Sequence, residues 1–197
     1  MNRAEFMSNV YRVMSYPDAQ KVEKAYLLAK KFHKGQFRKE IGPDGNPLRY
    51  FEHLRRTALI LLDSGIASPD LIITALLHDS IEDSEEVELL SSLIQELFGD
   101  NVSDWVRALT KTAKDGYIDN LKFKMMHDGT PGFIIVKAAD RLDNLRSLPA
   151  DEIFRTKQLK ETRDDYLPLF ISYSTMANDV VRRPFTKILE EIMRAVT

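Results

Sequence analysis

Apolar residues recur along this chain at three- and four-residue steps, the period of a helix that buries one face. Val22, Ala25, Tyr26, Ala29 and Phe32 form one such stripe, and the helix should end near Gly35, since Gly favours the position just past a helix C-terminus. The run Ile41-Gly42-Pro43-Asp44-Gly45-Asn46-Pro47 is dense in turn formers and reads as a loop. A helix follows through Leu61 and stops near Gly65. Ser68-Pro69-Asp70 starts the next one, with Ser as cap and Pro at the first position. Leu71 to Ile81 is apolar almost all round, so that helix should be central and buried. Further helices are expected at about 86–98, 101–112 and 117–127. Gly129-Thr130-Pro131-Gly132 then breaks the chain ahead of the apolar run Phe133 to Ala139. By periodicity alone that run could be a buried strand. Its continuation through Arg146 without a turn former favours helix, and two more helices should cover roughly 150–177 and 178–195. With no internal repeat, low-complexity tract or linker, the pattern predicts an all-α fold: one compact domain, 1–197, of about eight to ten helices.

Composition narrows the function. At 197 residues and 44% hydrophobic the chain can build a core without staples, so a bound metal would serve chemistry rather than folding. There is no cysteine, which excludes disulfides, thiolate metal sites and cysteine nucleophiles. A formal net charge of −2 argues against a nucleic-acid partner. The first residues lack the apolar core of a signal peptide, and no apolar run is long enough to span a bilayer, so a cytoplasmic protein without a membrane partner is expected. Charge is unevenly placed: ten basic residues lie between Lys21 and Arg56, while six of the ten residues from Asp79 to Glu88 are acidic. Two solvated helix faces would give the same pattern; so would a site where a cation meets a polyanion.

The sharpest local feature is His78-Asp79-Ser80-Ile81-Glu82-Asp83. On a helix His78 and Glu82 share a face, as do Asp79 and Asp83, which gathers an imidazole and three carboxylates at the end of an apolar segment. Carboxylates crowded in a partly buried site repel and lose hydration, and a divalent cation relieves both costs. His and Asp suit Mn, Fe or Zn. His53, at the start of an amphipathic helix, and Asp140, after an apolar run, are further ligand candidates.

His53, the His78-Asp79 doublet and the later Asp140 together resemble the H…HD…D signature of the HD superfamily. More narrowly, from Ala25 to Leu169 the chain resembles the hydrolase domain of RelA/SpoT enzymes and the stand-alone small alarmone hydrolases. Phe32-His33-Lys34-Gly35-Gln36-Phe37-Arg38-Lys39 is similar to the family's FHxGQxRK stretch, and Ala75 to Asp83 to its ALLHDxxED. Phe98-Gly99, Leu109-Thr110-Lys111, Val136 to Leu142 and Tyr166-Leu167-Pro168-Leu169 resemble the FG, TK, IKLADRL and YAPLA elements in the same order.

The resemblance implies an HD-type helical domain that hydrolyses guanosine 3′-pyrophosphates, ppGpp or pppGpp, to GDP or GTP plus pyrophosphate, with one Mn2+ per chain. It implies His53, His78, Asp79 and Asp140 as metal ligands and Glu82 and Asp83 as the catalytic carboxylates. Arg38 would stack on the guanine with Lys39 beside it, Asn144 and Ser147 would contact the nucleoside, and Lys111 and Arg141 would clamp phosphates. The family's synthetase domain follows the YAPLA segment, where this chain ends, so hydrolysis without synthesis is expected. A synthetase toxin or a second copy of the chain is left open as a partner. Four places depart from the pattern: Asp143 stands where relatives carry His, Leu54 where they carry Pro, the loop before His53 has extra residues from Glu40 to Arg49, and Thr130-Pro131-Gly132 replaces Asp-x-Arg. Two rivals stay in play: an HD phosphohydrolase acting on another nucleotide such as NADPH, and a binding module that senses a nucleotide or masks a partner.

Overall fold

The computed structural model describes residues 2–42, 44–82, 86–111, 116–127, 129 and 131–197. Helices carry about three quarters of it. α1 (Arg3–Val13) and α2 (Tyr16–Phe32) lead into a hairpin of β1 (Phe37–Ile41) and β2 (Pro47–Arg49). Then come α3 (Phe51–Ser64), α4 (Pro69–Leu77), α5 (Val87–Phe98), α6 (Asp100–Leu109), α7 (Tyr117–His127) and α8 (Phe133–Arg146). α9 (Glu152–Glu161) passes through a wide π-turn, Thr162–Tyr166, directly into α10 (Leu167–Met176), and α11 (Asp179–Val196) closes the chain. Counting Glu152 to Met176 as one rod, the described residues form ten helices, in line with the expected all-α fold. None is long and apolar enough to cross a membrane.

α4 is the axis of the packing. Every residue from Leu71 to Leu77 is buried, as an all-round apolar helix must be, and α2, α3, α6 and α8 lie against it. α8 packs on α3 as well as α4, with α11 across its back. The run Phe133–Ala139 is therefore helix, and its all-round apolarity reflects neighbours on every side. The start of α3, the end of α4 and the middle of α8 meet around one polar volume, and the hairpin and α9 touch α8 beside it.

Three local outcomes differ from the expectations. α1 was not among the expected helices; an Asn2/Glu5 capping box starts it, and Phe6, Met7 and Val10 bury against α2. The stretch after Gly35 is a hairpin whose hydrophobic pattern is inverted: Phe37 and Ile41 are about 60% exposed, while Arg38 and Glu40 face the protein. Its turn closes where Gly42 N–H donates to Asn46 O at 2.8 Å, with Gly45 at φ 77°, a conformation that glycine adopts without steric cost. The central helix, expected to reach Ile81, ends at Leu77. The His78 ring donates from Nδ1 to Ala75 O at 2.9 Å, and Ser80 N–H reaches only three residues back, to Leu77 O. The chain from His78 to Glu82 continues as turns.

The π-turn has a visible cause. Pro168 lacks an N–H, and its ring would crowd the carbonyl four residues earlier in a regular helix. The wide turn gives it room, and Leu167 N–H donates to Thr162 O, five residues back.

Candidate metal centre

Three elements each bring one or two groups to the polar volume. His53 sits in the first turn of α3, His78 and Asp79 just beyond α4, and Asp140 in the middle of α8. His53 Nε2 lies 3.1 Å from Asp140 Oδ1 and 3.8 Å from Asp79 Oδ2. His78 Nε2 lies 3.3 Å from Asp79 Oδ2 and 3.7 Å from Asp140 Oδ1. Two ligands held about 2.1 Å from one ion stand roughly 3.0 Å apart at a right angle and roughly 3.4 Å apart at the tetrahedral angle. The observed separations, 3.1 to 3.8 Å, overlap that range and reach slightly beyond it. One ligand atom from each of His53, His78 and Asp140 lies within 4.8 Å of the other two.

Hydrogen bonds on the outer side of each ring fix which nitrogen looks inward. A carbonyl only accepts, so His78 Nδ1 carries the proton it gives to Ala75 O, and its Nε2 presents a lone pair. That Nε2 is buried and has no hydrogen-bond partner. An orphaned acceptor facing two carboxylates is costly in a folded protein unless a proton or cation fills the gap. The residues thus fit a divalent cation. Burial pulls the His78 imidazole down, and Asp79 and Asp140 more than offset it, raising its pKa to about 9 without a metal. Burial works against ionised Asp140 too, but Lys137, His53 and His78 hold it well below the usual carboxylate range. Lys137 Nζ reaches Asp140 Oδ2 at 2.9 Å, and Asn144 Nδ2 donates to Oδ1 at 2.7 Å. Tyr50 Oη donates to Asp79 Oδ2 at 2.7 Å and has His33 stacked on its ring at 5.0 Å, which braces the approach to the hairpin.

Two cavities flank this centre. One, of about 280 Å3, lies between the hairpin and the start of α9; it gathers Arg38, Lys39, Asn144 and Ser147, with Phe37 and Phe154 as apolar walls. Arg38 Nη2 donates to Asn144 Oδ1 at 2.7 Å, so Asn144 bridges Arg38 to Asp140. Ser147 Oγ donates to Asp143 O at 2.7 Å. The other, of about 260 Å3, gathers Glu82, Lys111, Lys137, Arg141 and Lys157. Arg141 lies 4.0 Å over the Tyr166 ring, donates to Gln158 Oε1 at 2.7 Å and pairs with Glu161 at 3.0 Å. Glu82 is exposed and faces this basic cavity rather than sharing a helical face with His78, because the helix stops at Leu77. Asp83, the second expected carboxylate, lies outside the described residues.

The expected residues therefore group into three adjoining sets: four around the metal volume, four in the apolar-walled cavity, three in the basic one. Lys137, Tyr50, Asp143 and Lys157 were not among the expected site residues. Lys137 stands three residues before Asp140 and Tyr50 three before His53, spacings that on a helix put two side chains side by side. A wider concavity of about 550 Å3, between α6 and α7, shares no residue with the three sets.

Two imidazoles and two carboxylates brought together in a helical fold, with a lone pair left unsatisfied, form a candidate divalent-metal site. A family model described as HD domain matches residues 25–170, and the chain belongs to that family, whose members bind divalent metals. It is 35% identical to the guanosine-3′,5′-bis(diphosphate) 3′-pyrophosphohydrolase of Aquifex aeolicus, over 78% of this chain and 22% of that one. It is 31% identical to the GTP pyrophosphokinase rsh of Brucella melitensis, over 100% of this chain and 26% of that one. The chain thus spans about a quarter or less of these relatives' length. A solved metazoan protein, described as an ortholog of SpoT that hydrolyzes ppGpp, shares the fold with a TM-score of 0.59 at 23% identity; the match covers 93% of this chain and 100% of that one.

Proposed function

We propose that this chain hydrolyses guanosine 3′-pyrophosphates, ppGpp or pppGpp, with Mn2+ held by His53, His78, Asp79 and Asp140, releasing pyrophosphate and leaving GDP or GTP. The observation that carries the reading is that an apolar-walled cavity and a basic cavity both adjoin one cluster of side chains that fits a cation. Such a layout suits a molecule with a flat base at one end and several phosphates at the other. The relative from Aquifex bears the name of this activity. When bound, the cation supplies acidification of water and charge neutralisation at the reacting phosphoryl group.

The remaining work falls to side chains. Arg38, steadied by Asn144, offers its guanidinium face to the base, and Phe37 and Phe154 offer apolar contact. Lys111, Arg141 and Lys157 are set to hold phosphates and stabilise charge as it builds. Glu82, beside those cations, or Asp83 takes the proton of the attacking water or orients it. With the base held near Arg38, the 3′-pyrophosphate lies over the ligand cluster and the 5′-phosphates extend along the basic side.

The test is product identification with the purified chain and Mn2+ against ppGpp, pppGpp, GTP and NADPH. We expect intact pyrophosphate with GDP or GTP from the first two, and no reaction with GTP. Stepwise release of orthophosphate, rapid hydrolysis of GTP, or preference for NADPH would overturn the assignment, and binding without turnover would make the chain a sensor.

A further inference from the structure

Two departures from the family pattern, Asp143 and the lengthened hairpin, meet in one part-buried chain of contacts. Asp143 is 2% exposed, and its Oδ2 lies 2.7 Å from His53 Nδ1. Its other oxygen accepts from Arg56 Nε at 2.7 Å, and Arg56 Nη2 adds a second contact at 3.1 Å. The far side of the same guanidinium is held by Glu40 of β1, at 2.7 and 3.2 Å. Glu40 is two residues from Arg38 on the inward face of that strand. The order is thus Glu40, Arg56, Asp143, His53, from hairpin to metal centre.

A carboxylate held by a guanidinium can only accept, so the proton between Asp143 and His53 sits on Nδ1. Nε2 is then the lone-pair nitrogen, and it is the one that faces Asp79 and Asp140. The planar imidazole has one free rotation that matters for ligation, and this bond locks it. Arg56, gripped on both edges, fixes the carboxylate in turn.

We propose that Asp143 is a positioning residue for the metal centre: it holds His53 in its ligating tautomer and orientation, and Arg56 and Glu40 hold Asp143. This rests on the reading of His53 as a metal ligand. Glu40, on the strand that also carries Arg38, thereby ties the hairpin beside the base cavity to the strength of cation binding. Loss of such an outer partner weakens metal affinity by roughly ten- to a hundredfold.

The experiment is Mn2+ titration of the chelator-stripped protein by calorimetry, with no nucleotide present, alongside melting in EDTA. Asp143→Asn keeps the shape and should raise the Mn2+ dissociation constant roughly ten- to a hundredfold. Glu40→Gln should shift it in the same direction and by less, because it acts through two side chains. A purely structural role would lower the melting temperature in EDTA and leave the dissociation constant alone. Should Asp143→Asn fail to fold because Arg56 has lost its counter-charge, the double variant Asp143→Asn/Arg56→Gln removes both charges and takes the same titration. Folded Asp143 variants that bind Mn2+ within twofold of the wild type, which itself binds, overturn this inference alone. A wild-type chain that takes up no divalent cation overturns the reading beneath it as well.

Discussion

Lys137→Met probes the electrostatics of the centre without touching a proposed ligand. Lys137 Nζ sits 2.9 Å from Asp140 Oδ2, with 15% and 7% of the two side chains exposed. It also lies 5.3 and 5.7 Å from the ring centres of Tyr117 and Tyr166. Burial works against the ammonium, yet Asp140 and the two tyrosines keep its pKa well above the ordinary lysine value. Met preserves the length and apolar body of the side chain, so the charge is what is lost. Removing one member of a buried pair costs about 3–5 kcal/mol, a large share of a domain's total of about 5–15 kcal/mol. For a chain of this length each kcal/mol lowers Tm by about 2–4 °C, so in EDTA the variant should melt roughly 6–20 °C below the wild type. A divalent cation on Asp140 restores a positive partner to the stranded carboxylate and binds only the folded chain, so saturating Mn2+ should shrink the deficit to less than about half. Calorimetric melts of both proteins, in EDTA and in Mn2+, measure it. Equal deficits under the two conditions would mean that no cation reaches Asp140. A deficit below about 1 kcal/mol in EDTA would mean that solvent already screens the pair.

Three further outcomes are expected. Glu82→Gln should cut turnover by about a hundredfold or more with metal content unchanged, and normal turnover would move the proton-transfer role elsewhere. Arg38→Ala should raise KM for ppGpp while the Mn2+ dissociation constant stays put; an unchanged KM would remove Arg38 from base recognition. The pKa of His78, about 9 in the folded, metal-free chain, lies above the unfolded value of about 6.5. Its stabilising contribution is therefore full below about pH 6.5 and is lost as pH rises towards 9. Mn2+ must displace the same proton, so its affinity should climb roughly tenfold per pH unit across that window, and a flat profile would exclude His78 as a ligand.

The helices were legible because burial imposes a period: the stripe from Val22 to Ala29 and the all-round apolar Leu71–Leu77 are buried where the pattern puts them. The candidate ligands were legible because His78-Asp79, His53 and Asp140 are costly residues next to apolar runs, and the structure brings the four side chains together. The hairpin was hidden because its charged Arg38 and Glu40 turn inward and its apolar Phe37 and Ile41 turn out, the reverse of what a hydrophobicity pattern detects. The end of α4 was hidden because a side chain, the His78 ring, takes the Ala75 carbonyl, and no period encodes that. The partnership of Asp143 with His53 joins residues 90 positions apart and depends on how α3 and α8 cross.

The wide turn at Thr162–Tyr166 determines which changes of length the chain can absorb. Each residue of an α-helix advances the direction of its side chains by about 100°. Deleting one residue there would restore regular winding and swing everything beyond it by about that angle relative to α9. Either Gln158 and Glu161 would then leave Arg141, or Leu169, Phe170 and Tyr173 would rotate out of the core. Restored winding would also drive the ring of Pro168 back against a carbonyl. At this point helical phase, rather than chain length, is the constrained quantity: the rod from Glu152 to Met176 tolerates exchange of its outward residues but not shortening by one.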